Sequence, residues 1–322
     1  MKLMTYAEGI REGMSIRMRE DPNVVLFGED VGAFGGCFGV SAGMVEEFGT
    51  ERVRDTPISE GAIIGTAVGG AATGLRPIAE LMFCDFLTVG MDQLVNQAAK
   101  MRYMFGGKIS LPMVVRLPAG AGSGAAAQHS QSLEAWVTHI PGLKVVYPSC
   151  AEDALGLMLT AIDDDNPVIF FEGKLLYGMK TEVNSFEPIP LGKGKICREG
   201  GDVSIITYGR QVFDALKAAD KLAADGIEAE VIDLRSLYPL DKELIEQSLS
   251  KTHKAIVLTE EVKRGGYGGE ISAIIAEEMF DYLDAPVARI GALNTPVPFT
   301  PVLEQYYMPN EEDVIIAAKK MF

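Results

Sequence analysis

The sequence predicts an α/β fold of two domains, each a mostly parallel sheet flanked by helices. Three observations carry this. From residue 4 onward, segments of helical period alternate with short β-branched runs, the pattern of parallel strands covered on both faces. Between residues 172 and 201 the rhythm breaks at Pro188, Pro190 and several glycines, with no sustained period. A chain of 322 residues is also long enough for two cores of ordinary size.

In chain order, the apolar and β-branched runs place strands over residues 24–27, 77–81, 113–117, 144–147 and 168–171. Helical period places helices near 5–20, 61–74, 86–104, 132–138 and 151–163. These make a first domain over 1–180, followed by a linker over 181–200. A second, smaller domain over 201–322 takes strands at 203–207, 229–233, 255–259 and 287–290, with helices near 211–225, 241–250, 268–280 and 311–320. The segment at 61–74 (GAIIGTAVGGAATG) is nearly all small residues, and each glycine weakens a lone helix by up to about 1 kcal/mol relative to alanine. It needs a close neighbour, inside its own domain or across a subunit interface.

A formal net charge of −16 leaves no excess of Lys and Arg to neutralise phosphates, which argues against nucleic acid as a partner. No apolar run is long enough for a membrane span, and the first residues lack the pattern of a secretory signal, so a cytoplasmic location is expected. The four cysteines (Cys37, Cys84, Cys150, Cys197) are far apart with no CxxC pair, which reads as reduced, mostly buried thiols.

Four segments offer chemistry. In RVRDTPISE, Glu60 follows a turn-like Thr-Pro and opens the small-residue helix, where free N–H groups and the dipole favour a carboxylate; Ser59 or Glu60 also suits a plain helix cap. The loop LPAGAGSGAAAQHSQ follows a strand and carries His129, a side chain suited to proton transfer near neutral pH. Its glycines only partly mimic a dinucleotide fingerprint, with no acidic residue placed to read a ribose. The run Asp163, Asp164, Asp165, Asn166 ends a helix, already a negative environment, and suits either a solvated turn or an oxygen-only site for a loosely held cation. The glycines of KRGGYGGE at 263–270 precede a helix and fit an anion cradle or a contact loop.

FGEDVG at 27–32, RVRDTPISE at 52–60, MDQLVNQAAKMRYMFGG at 91–107, AAQHSQSLEAW at 126–136, PGLKVVYPS at 141–149 and DNPVIFFE at 165–172 together resemble one family. It is the β subunits of the thiamine-diphosphate-dependent, decarboxylating component of 2-oxo acid dehydrogenase complexes, of the pyruvate or acetoin type. The resemblance runs in order through essentially the whole chain. It implies a pyrimidine-binding domain followed by a transketolase C-terminal-like domain. It also implies two α and two β chains, with each cofactor shared between an α and a β subunit. The family's diphosphate and magnesium motif is missing here, which assigns magnesium to the α subunit.

Carried over by motif, Glu60 is similar to the glutamate that hydrogen-bonds a ring nitrogen of the aminopyrimidine, and Ile58, Met82 and Phe86 to residues lining that ring's pocket. His129 resembles the histidine at the active-site mouth that assists transfer of the two-carbon unit to a lipoyl group. Glu29 matches an acidic link between active sites. The family's potassium site falls on Met113, Ala161, Ile162, Asp164 and Asn166. The C-terminal domain, ending at Phe322, resembles the part that docks a lipoyl-bearing acyltransferase core. The implied reaction is cleavage of pyruvate or acetoin with transfer of the acetyl unit to lipoamide. A branched-chain 2-oxo acid dehydrogenase subunit and a non-catalytic scaffold subunit are the alternatives.

Overall fold

Thr5 starts the first helix with a reciprocal cap: its Oγ1 accepts from the Glu8 amide at 3.1 Å, and its own amide donates to the Glu8 carboxylate at 2.7 Å. Such a box contributes about 1 kcal/mol and fixes where the helix begins. The computed structural model describes all 322 residues, and they fall into two compact units. One comprises Met1–Ala119 with Trp136–Leu191, the other Gly120–Ala135 with Gly192–Phe322.

The first unit contains β1 (Lys2–Thr5), α1 (Tyr6–Glu20), β2 (Val24–Gly28), α2 (Met44–Phe48), β3 (Val53–Asp55), α3 (Glu60–Ala72), β4 (Arg76–Glu80), α4 (Ala99–Met104) and β5 (Val114–Ala119). After α5 (Glu134–Thr138), in which the units divide, come β6 (Lys144–Val146), α6 (Ala151–Asp163), β7 (Val168–Gly173) and β8 (Lys180–Val183). Its sheet runs β6-β7-β5-β4-β2-β3, every pair parallel. Near-continuous apolar runs in β2, β5 and β7 answer the burial of both sheet faces. Helix α1 lies against α6 so closely that a Cβ on Gly9 would meet the Ala151 carbonyl at 2.4 Å, and Gly13 faces Met158 the same way. These two glycines, one turn apart, set that approach.

The second unit contains β9 (Lys195–Arg198), β10 (Val203–Thr207), α7 (Gln211–Ala224), β11 (Ala229–Asp233), β12 (Ser236–Tyr238), α8 (Lys242–Thr252), β13 (Ala255–Val262), α9 (Tyr267–Glu278), β14 (Ala288–Ala292), α10 (Pro301–Tyr307) and α11 (Glu311–Lys319). Its sheet runs β14-β13-β10-β11-β9, parallel except for the antiparallel edge strand β9. Val203, Ile205, Val231, Ile256 and Leu258 meet Ala215, Ala219 and Leu222 of α7 and Val314 of α11 in one apolar cluster.

Three expectations need correction. The stretch 181–200 is not structureless: β8 pairs antiparallel with β1, and β9 with β11. Each strand has only four residues, too few to register as a period in the sequence. The single helix expected over 86–104 is a 3₁₀ turn (Cys84–Thr88), a π-helical stretch (Asp92–Ala98) and α4. Thr88 bonds the Asp85 carbonyl at 3.0 Å, closing the 3₁₀ turn ahead of Gly90. Residues 120–135, read as part of a continuous first domain, belong to the second unit, where carboxylates of Glu260 and Glu304 hold their backbone.

Candidate functional site

Glu60 is the first residue of α3 and is 6% exposed. Ser59 makes no side-chain capping bond, so the plain capping role open to it is not taken up. The segment ahead of α3 is pinned to the loop after β2, where Asp55 accepts from the Gly32 and Ala33 amides at 2.6 and 3.2 Å and the Thr56 amide donates to the Gly28 carbonyl at 2.9 Å. That loop buries Glu29, whose Oε1 has no hydrogen-bond partner. Burial raises the Glu29 carboxyl above its ordinary range, and the charges of Glu60 and then Asp30 push it further. The pair concentrates acceptor capacity without a cation to neutralise it. Ile58 beside it is 81% exposed.

Met82 and Phe86 follow β4 and are half-buried. Phe86 meets Phe83 edge-on at 5.8 Å, and Phe83 meets Phe38 at 5.7 Å. Phe38 stacks on Tyr177 at 4.9 Å, and the Lys174 ammonium lies 5.3 Å from the centre of the Phe83 ring. Beneath these aromatics is a group the sequence reading missed. Arg116, 1% exposed, is bound by both oxygens of Glu172 at 2.7 and 2.9 Å and by Glu80, while the Tyr177 hydroxyl donates to Glu172 at 2.7 Å. Burial raises the Glu80 carboxyl, and it raises Tyr177 well above its ordinary value. The available signal was a charged residue inside each of three apolar strands, β4, β5 and β7.

His129 is half-buried on a loop of the second unit, and its amide donates to the Ala126 carbonyl at 3.3 Å. The neck of that loop is closed by the Gly120 amide on the Gln131 carbonyl at 3.1 Å. Gly120 has φ +96°, and a Cβ there would meet the Glu260 carboxylate at 2.6 Å, so the position demands glycine. Glu60 and His129 are thus carried by different units. Nearby acids also went unread. Glu134, 1% exposed, is raised by burial and then by the charge of Glu261. Glu261 is pushed up to about 7 by burial, opposed by bonds from the Gly268, Tyr267 and Ala135 amides. Within the segment 263–270, the Gly268 amide donates to the Glu261 carboxyl at 3.0 Å, a contact inside the protein.

The acidic end of α6 is supplied with cations by the chain itself. Lys144 binds the Asp164 carboxylate, and Asp164 Oδ1 also accepts from the Asn166 backbone amide and side chain at 2.8 and 2.9 Å. Arg76 reaches the Ile162 carbonyl at 2.9 Å and the Asp165 carboxylate at 3.0 Å. Arg102 donates to Asn166 Oδ1 at 3.0 Å, and Arg17 to Asp163 at 2.6 Å. Met113 offers its carbonyl to the Val168 amide at 2.9 Å. Of the expected cation ligands, the side-chain oxygens of Asp164 and Asn166 are engaged, as are the main-chain oxygens of Met113 and Ile162. The cysteines are free, with Cys84 buried and Cys37 exposed, which corrects the expectation that they are mostly buried.

Residues 2–180 match the transketolase pyrimidine-binding domain, and residues 192–314 the transketolase C-terminal domain. The chain is 51% identical to the β subunit of acetoin:2,6-dichlorophenolindophenol oxidoreductase of Bacillus subtilis (strain 168), over 98% of this chain and 96% of that protein. The chain belongs to this family. Its members are the β subunits of thiamine-diphosphate-dependent acetoin and 2-oxo acid dehydrogenases. They include the pyruvate dehydrogenase E1 β subunit of Rickettsia felis (47% identity, 99% of this chain, 98% of that protein) and the 2-oxoisovalerate dehydrogenase β subunit of Bacillus subtilis (strain 168) (45%, 100% and 99%). A solved structure titled as a split-gene transketolase, an inactive β4 tetramer, matches with a TM-score of 0.81 at 25% identity, covering 99% of this chain and 98% of that one. No helix is long and apolar enough to cross a membrane.

Proposed function

We propose that this chain is the β subunit of a dehydrogenase cleaving acetoin or pyruvate, assembled as two α and two β chains, with the acetyl unit passed to lipoamide on an acyltransferase core. The observation that carries the reading is the buried Glu60 at the start of α3 with the partnerless Glu29 carboxyl electrostatically coupled to it. A buried carboxyl here suits the basic ring nitrogen of an aminopyrimidine, which accepts a proton, so the residues fit this cofactor end. When bound, thiamine diphosphate supplies the nucleophile and electron sink for cleavage beside a carbonyl. Glu60 would hold a proton at the pyrimidine ring nitrogen, with its orientation fixed by the start of the helix. Met82 and Phe86 would give the ring an apolar wall, braced by Phe83. Ile58, exposed on this chain, would complete that wall against the α subunit. Magnesium and the diphosphate fall to the α subunit.

His129 would donate or accept a proton during transfer to the lipoyl group. Potassium would be held by the main-chain oxygens of Met113, Ala161 and Ile162 with the Asp164 carboxylate and Asn166, the carboxylate being shared with Lys144. The 2-oxoisovalerate relative keeps a branched-chain substrate as the second reading.

Co-expression with an α subunit, followed by thiamine-diphosphate-dependent dye reduction with acetoin, pyruvate and 2-oxoisovalerate in parallel, tests the reading. The acetoin relative, at 51% identity, ranks acetoin first. Glu60→Gln should fold normally and lose roughly 10²–10⁴-fold in turnover, the usual worth of a positioned acid–base group. Near-normal turnover would refute its role, and wild-type dye reduction by Glu60→Gln together with wild-type acetyl transfer to lipoamide by His129→Ala would favour the scaffold alternative.

A further inference from the structure

The loop presenting His129 is tied down at its start by two carboxylates from elsewhere in its own unit. Glu304 of α10 is 2% exposed, and its two oxygens accept separately from the Gly122 amide at 2.6 Å and the Gly124 amide at 3.0 Å. Glu260, at the end of β13, accepts from the Ala121 amide at 2.7 Å, and Arg210 lies 3.5 Å from its other oxygen. Gly120, Gly122 and Gly124 have φ of +96°, +97° and +68°. These left-handed turns aim alternate amides at one point, the concave geometry that elsewhere binds a foreign anion. Here the anion is the protein's own.

A carboxylate this buried is costly to keep charged unless it is hydrogen-bonded, and the partners of Glu304 are backbone amides rather than a mobile ammonium. Backbone amides cannot swing away, so the bonds fix the loop's main chain itself. Residue 124 is held, and the chain reaches His129 only after the single left-handed turn at Ala126, φ +61°. Little slack separates the clamp from the imidazole.

We propose that Glu304 is a positioning residue for acyl transfer, its buried carboxylate holding the Gly122 and Gly124 amides so that the loop presents His129 in one place. The proposal rests on the reading of His129 as the transfer histidine. Glu304 touches no substrate and acts through the loop. The alternative is that Glu304 merely stabilises the packing of α10.

The assembled α/β complex decides between them when dye reduction, which bypasses the lipoyl group, is measured beside acetyl transfer to a lipoylated lipoyl domain. Glu304→Ala should slow transfer about 10-fold to 100-fold, as misplacement of a catalytic group does, with dye reduction changed less than about 2-fold. His129→Ala should slow transfer at least as much. Glu304→Gln, which keeps the volume and one acceptor oxygen but turns a donor toward the other amide, should recover part of the transfer rate. Amide hydrogen exchange at 120–128 should rise in Glu304→Ala and stay at the wild-type level in His129→Ala. Equal slowing of both reactions in Glu304→Ala, or wild-type exchange in the loop, overturns the proposal in favour of a packing role. Normal transfer by His129→Ala would instead sink the reading of His129, and the exchange data would still report whether Glu304 holds the loop.

Discussion

Each unit buries carboxylates, on β4 and β7 in the first and on α5 and β13 in the second, and each relieves them differently. In the first unit Glu80 and Glu172 share Arg116, a cation that does not titrate in the accessible range. In the second, burial raises both Glu134 and Glu261, the charge of Glu261 adds to the rise at Glu134, and backbone amides oppose the rise at Glu261. The contrast teaches that a fixed cation opposes the cost of burying its acids, whereas acids met by backbone amides make packing that answers more strongly to pH. The first arrangement underlies the aromatic floor beside Phe86, and the second adjoins the loop of His129.

The largest effect expected is from Arg116→Ala. Removing the cation strands two buried carboxylates, and breaking such a group costs about 3–5 kcal/mol. Denaturant unfolding should show that loss; a change below about 1 kcal/mol would mean that water reaches the site and the contrast between the units is false.

Next in size is the pH response of the second unit. The folded pKa of Glu261, about 7, lies above its ordinary value of 4.5. Its stabilising contribution is therefore complete below pH 4.5 and lost as pH rises through 7. Glu261→Gln should flatten that slope, removing a swing on the order of 2 kcal/mol in unfolding free energy between pH 5 and pH 8. An unchanged slope would place the proton elsewhere.

The smallest effect sharpens the comparison with a third arrangement, the end of α6, where Lys144, Arg76 and Arg102 already meet the acids. Exchanging sodium for potassium at constant ionic strength should raise stability by about 1 kcal/mol at a few times the dissociation constant, and less in Asp164→Ala. Identical melting temperatures in the two salts would remove potassium from the site.

What was legible in the sequence follows from distance along the chain. Glu60 could be singled out because its turn, cap and helix lie within one local segment, and the strands of both sheets because their apolar runs are continuous. The Arg116 group joins residues 36 and 56 positions apart, and the Glu304 clamp residues 182 and 180 apart. No local pattern encodes such pairs. The acidic run at 163–166 was visible, but the lysine and arginines that answer it arrive from α1, β4, α4 and β6.

By itself the sequence determined the two α/β units, the position of Glu60 at a helix start and, through its ordered motifs, the family. These depend on period, turn chemistry and local composition, which act over a few residues. Tertiary structure alone decided that residues 120–135 join the second unit, that Arg116 neutralises two strands' acids, and that Glu304 grips the loop of His129. Each of those is a choice of partner for a buried charge, and the free energy of a buried charge depends on what surrounds it in space rather than on what adjoins it in the chain.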